Sequence, residues 1–202
     1  MSNGYLKISD KLIKNMLNNH QSYRNDIDIS RKQTIRDIKD LEDMISAAIC
    51  PGLNYDSVGG GKTNKIHDPT YESLLRLYSG RYRELIQIKQ QELFVLEQRE
   101  EAFDRVCTAF KKTLWILPRE FEIVNRLFYS VEKTTTWDAV SQELGVSKGK
   151  ISESRKLVYK LVRLIYDSNY KTEDIDGVSE DELYDLVEDS NEDALKKHLN
   201  KY

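Results

Sequence analysis

The chain has 202 residues, 32 % of them charged and 39 % hydrophobic, with only 3 prolines and 9 glycines. That length suits one ordinary domain or two small ones, and the balance is too charged for a membrane protein and too apolar for wholesale disorder. The net charge of −3 is unevenly spread: residues 114–166 carry 9 Lys and Arg against 6 Asp and Glu, whereas residues 167–202 carry 4 against 12.

No run approaches the roughly 18 apolar residues of a membrane span, and no apolar core of signal-peptide type follows Met1. A cytoplasmic protein with no membrane partner is therefore expected. Cys50 and Cys107 lie far apart and imply no disulfide framework, and His20, His67 and His198 show no metal-ligand spacing. No metal and no cofactor are expected, and no Ser-His-Asp or Cys-His set supports an enzyme.

Residues 1–50 read as an N-terminal helical segment. Ile8, Leu12, Ile13, Met16 and Leu17 place one apolar stripe on a first helix over 8–20. Ile35, Ile38, Leu41, Ile45 and Ile49 repeat the pattern on a second, with Ser30 as its predicted N-cap and Pro51-Gly52 as its stop. Residues 51–69, rich in Gly, Ser, Asn and Asp, predict a flexible linker. Inside it, Gly59-Gly60-Gly61-Lys62-Thr63 ends like a phosphate-binding loop, but Asp56 stands where the first glycine belongs and no strand precedes it.

Residues 70–113 predict one long helix of about 65 Å at 1.5 Å per residue. Its apolar positions are Tyr78, Tyr82, Leu85, Ile86, Leu93, Leu96, Phe103, Val106, Cys107 and Phe110, interrupted by Lys89 and Glu100. Such a helix either packs back on the two N-terminal ones or pairs with a second copy as a coiled coil. A homodimer through this helix is the expectation. Strand signals are confined to residues 134–136, so the fold class is all-α.

Residues 114–166 read as three helices. Pro118 suits a first helical position, with Phe121, Val124, Leu127 and Phe128 on the apolar face. Thr135 or Thr136 caps a helix through Trp137, Ala139, Val140 and Leu144, and Gly145 permits a left-handed turn. Ser147 caps the last helix, which turns Ile151, Ser154, Val158, Leu161, Val162 and Ile165 inward. Its outward face carries Lys148, Gly149, Lys150, Ser152, Glu153, Lys156 and Lys160, with Arg155 beside them. Helix, short turn, helix is the layout that places its second helix in a DNA major groove. Here the cations suit phosphates and the short polar groups suit base edges, with Glu153 able to accept from a cytosine amine.

The stretch LPREFEIVNRLFYSVEKTTTWDAVSQELGVSKGKISESRKLVYKLVRLI (117–165) resembles region four of bacterial sigma factors, the part that binds promoter DNA. Phage late transcriptional regulators of the RinA/ArpU type are similar in layout, including the linker ending in His67-Asp68-Pro69-Thr70 and the long charged helix. The aromatic-rich domain with which sigma factors melt promoters has no counterpart here, and the acidic tail is longer than that layout implies. The resemblance implies a sequence-specific, double-stranded-DNA-binding activator of phage late genes. It assigns DNA reading to Ser147, Lys148, Lys150, Ser152, Glu153 and Lys156, and backbone support to Thr135, Thr136 and Trp137. Host RNA polymerase is a further expected partner. Two other readings stay open: a phage small terminase, and a polymerase-binding protein that does not touch DNA. With about four to six phosphates neutralised, log K should fall against log salt with a slope near −4 to −5.

In the acidic tail, 167–202, Ser179-Glu180-Asp181-Glu182 forms a capping box ahead of Leu183, Tyr184, Leu186 and Val187, which predicts a short helix in an otherwise solvating end. Asp167, Asn169 and Lys171 open like a calcium loop, but lysine replaces an oxygen ligand. The tail is read first as a solvating, partly disordered end; the alternatives are docking on polymerase and docking on the chain's own basic helix-turn-helix. In the last case truncation after Asp167 is expected to strengthen nonspecific DNA binding.

Overall fold

A computed structural model describes residues 6–49, 69–128 and 136–200. The linker, the glycine-rich 59–63 stretch and Thr135 lie outside the described residues. Among those described, the fold is all-α with no strand, in the order α1 (Asp10–Asn18), α2 (His20–Ile49), α3 (Pro69–Ile116), α4 (Pro118–Phe128), α5 (Trp137–Leu144), α6 (Lys148–Asp167), α7 (Thr172–Ile175), α8 (Glu180–Glu188) and α9 (Asp193–Leu199). No helix among the described residues is long and apolar enough to cross a membrane.

Local signals account for most boundaries. Ser9 caps α1, its hydroxyl accepting from the Leu12 amide, and Ile13, Met16 and Leu17 are buried. Pro118 both prevents α3 from continuing and opens α4. The start of α2 corrects the expectation at Ser30, which lies inside the helix, its carbonyl accepting from the Thr34 hydroxyl at 3.0 Å. The helix begins ten residues earlier because Tyr23 stacks on Phe103 at 5.3 Å and Ile27 is buried. Packing there outweighs a cap signal worth about 1 kcal/mol.

Two compact units partition the chain. The smaller comprises residues 26–97, described through parts of α2 and α3. Lys89, which interrupts the apolar seam, lies 3.2 Å from Asp37 and 2.9 Å from Glu92. The Gln33 amide and Lys89 hold the Asp37 carboxyl below its ordinary range, and Glu92 with Asp37 raises Lys89. Ile27 and Thr34 are buried, whereas Tyr78, Leu85, Ile88 and Val95 of α3 are exposed.

The larger unit unites residues 6–25 with 98–200. Here α6 packs against α1, α4, α5, α8 and α9. Its Val158, Leu161, Val162 and Ile165 are fully buried, alongside Met16 and Leu17 of α1 and Val106 and Phe110 of α3. Two bonds join distant parts of the chain: the Tyr166 hydroxyl donates to the Leu6 carbonyl at 2.6 Å across 160 positions, and Arg163 Nη1 donates to the Ile8 carbonyl at 2.6 Å.

The acidic tail is built into this unit. Buried Arg105 donates to the carbonyls of Tyr166 (2.9 Å), Ser168 (2.9 Å) and Tyr170 (2.6 Å). Lys112 donates to those of Asp176 and Val178. Ile175, Leu183, Val187 and Leu195 enter the core. The capping box is present, with the Ser179 amide donating to Glu182 Oε2 at 2.8 Å. Truncation after Asp167 is therefore corrected as a test of the tail: it removes core side chains and two of the three carbonyls to which Arg105 donates, so it cannot isolate an effect on DNA.

Candidate nucleic-acid interface

Three residues connect α5 to α6, and the N-terminus of each helix is capped. Thr136 Oγ1 accepts from the Ala139 amide at 3.2 Å, and Ser147 Oγ accepts from the Lys150 amide at 3.2 Å. Between them Gly145 adopts φ 62° and ψ 30°, a left-handed conformation that a side chain would strain. The Ser141 hydroxyl donates to the Val146 carbonyl at 2.5 Å, holding the turn against α5. Ile123, Val140, Val146 and Ile151 form a buried cluster flanked by Leu127, Trp137 and Leu144. Contacts from α4 and α5 thus fix where the first turns of α6 point.

On the outward side of α6, Gly149, Glu153, Lys156 and Lys160 are all exposed, spaced by four, three and four residues on one stripe. Thr136 and Ser147 are exposed too, although their hydroxyls serve as caps. Ser152 is half-buried. Lys148 Nζ lies 2.6 Å from Asp138 in a pair whose side chains are more than 60 % exposed. Such a pair is screened and exchanges readily for another anion. Lys160 Nζ lies 2.5 Å from Glu192, where the tail reaches the stripe. Lys156 has no carboxylate within 4 Å among the described residues.

Three of the predicted contacts have partners within the fold. Lys150 is half-buried 3.2 Å from Glu120, whose carboxylate is only 2 % exposed and also lies 3.6 Å from His198 Nε2. A buried carboxylate requires a counter-charge, so Lys150 balances Glu120 rather than a phosphate. Glu153, at 3.8 Å, is its weaker neighbour. Arg155 is half-buried with its guanidinium carbon 5.0 Å from the Trp137 ring centre and 5.7 Å from that of Tyr159. It ties α5 to α6 through cation–π contact. Trp137, half-buried, packs against the cluster of Ile123, Val140, Val146 and Ile151.

One group missed by the sequence reading is Lys14 of α1, which shares a cleft with Lys156, Tyr159 and Lys160. The signal was present, since Lys7, Lys11 and Lys14 recur at helical spacing and all are exposed. No family model, curated protein or solved structure matches the chain.

Proposed function

We propose that the chain is a sequence-specific, double-stranded-DNA-binding transcriptional activator of phage late genes, with α5, its turn and α6 forming a helix-turn-helix whose α6 enters the major groove. One observation carries this reading: the exposed, bare first turn of α6. At Gly149 an added Cβ would meet only Ser147 Oγ, at 3.8 Å. The fold does not need glycine there, and helix propensity disfavours it by about 1 kcal/mol. Close approach of an outside surface explains the choice. Glu153 follows one turn later with a carboxylate 61 % exposed, placed to accept from a base edge.

Lys148 and Lys156 are then the cations of α6 available to phosphates, joined by Lys160 where a phosphate displaces the Glu192 carboxylate. At about 0.9 per phosphate, three give a slope of log K on log salt near −3, shallower than the residue count alone implied. The α3 face bearing Tyr78, Leu85, Ile88 and Val95 has heptad spacing and is exposed. It supports pairing with a second copy, so that two readers serve one duplex. Host RNA polymerase remains the partner that activation requires.

The test selects bound fragments from a random duplex pool with the purified chain. Enrichment of a shared motif is expected, with a salt slope near −3 and about two copies by light scattering. Glu153→Ala should relax sequence preference, while Lys156→Ala weakens every sequence alike. No retention of duplex at low salt overturns the reading, and a ring of eight or more copies replaces it with a small terminase.

A further inference from the structure

Beyond the first turns of α6, the cleft between α1 and α6 has its own electrostatic problem. Lys14 and Lys156 line it from opposite helices, both exposed, and neither has a carboxylate partner among the described residues. The other two cations there are engaged. Lys160 is held by Glu192, and Arg163 by Asp167 at 2.5 Å, by Asp10 at 3.4 Å and by the Ile8 carbonyl. Tyr159 lines the same cleft, pinned by donating its hydroxyl to Asn18 Oδ1 at 2.7 Å, with Lys14 Nζ 5.9 Å from its ring centre. Like charges facing one cleft repel, and an anion set between them turns repulsion into two attractions.

From this geometry we infer that the α1–α6 cleft is a second DNA contact, seating one backbone phosphate between Lys14 and Lys156. The inference rests on the proposed reading of α6 and extends it to a helix outside the helix-turn-helix. Placement favours a backbone phosphate. A major groove about 8.5 Å deep admits roughly the first turn and a half of a helix entering by its end. Lys156 lies about 12 Å along α6 from Lys148 at 1.5 Å per residue, so it stands at the lip of the groove, where the sugar–phosphate chain runs. Size agrees: the cleft holds about 260 Å³, below the roughly 300–1,000 Å³ of sites that enclose organic ligands. A single group on a passing strand fits it.

The test uses the full chain and duplexes with and without the selected motif. Lys14→Gln changes an exposed position and leaves the buried Ile13, Met16 and Leu17 in place, which circular dichroism checks. It should weaken binding several-fold on both duplexes while the salt slope stays nearer −3 than the loss of a whole phosphate would leave it, because Lys156 still neutralises the shared phosphate. Glu192→Gln, which releases Lys160, should shift affinity the other way. If the unaltered chain binds its motif and Lys14→Gln leaves affinity unchanged, the cleft contact is wrong while the α6 reading stands. If the unaltered chain retains no duplex, both fail. Shifts of Lys14 and Lys156 resonances with inorganic phosphate at constant ionic strength, and none with duplex, assign the cleft to a free anion and overturn the inference.

Discussion

Lys148 and Lys150 stand two residues apart on α6 with the same charge and opposite fates. One meets an exposed Asp138, the other a buried Glu120. Periodicity made the inward and outward sides of α6 legible, because 3.6 residues per turn is a local rule. Which lysine is already committed was not legible, since Glu120 belongs to another helix thirty residues upstream. Ser154 raises the same issue in neutral form. Its side chain is fully buried, as the register implied, yet its hydroxyl has no hydrogen-bond partner among the described residues. Ser154→Ala removes a dehydrated hydroxyl and improves helix propensity, so it should stabilise the fold by about 1 kcal/mol. Chemical denaturation reads this directly, and a lower midpoint would reveal a partner for the hydroxyl.

At the scale of single helices, endings decided by neighbouring residues were readable, and those decided by packing were not. Thr136, Gly145, Ser147 and Ser179 each perform the capping or turning role their side chains suit. The onset of α2 escaped because Tyr23 answers to Phe103, eighty residues away. Lys89 in the α3 seam was legible as an interruption, but its reason, Asp37 on α2, was not. That pair has a pH signature. The folded Asp37 carboxyl titrates below its unfolded value, so its contribution is complete above the ordinary aspartate range, near pH 4, and is lost as pH falls through the folded value. Asp37→Asn should accordingly lower stability at neutral pH and flatten the loss of helicity on acidification. Circular dichroism from pH 7 to pH 2 checks it, and parallel curves for the two chains would assign the acid response elsewhere.

For the molecule as a whole, charge composition suggested a tail separable from a basic body, and the structure folds the two together. Deleting everything after Asp167 removes Ile175, Leu183, Val187 and Leu195 from the core. At roughly 1.5–3 kcal/mol each, these four alone rival the 5–15 kcal/mol that holds a typical domain together. The shortened chain should show no cooperative thermal transition by circular dichroism, and a sharp melt near that of the full chain would show the tail to be dispensable. The bond from Tyr166 to the Leu6 carbonyl carries a further consequence. During synthesis α1 leaves the ribosome with its apolar side uncovered and must wait for α6, five helices later in the chain, before its seat exists. Folding of this unit is thus governed by late, long-range closure, and slowing translation can keep that surface bare for longer but cannot cover it sooner.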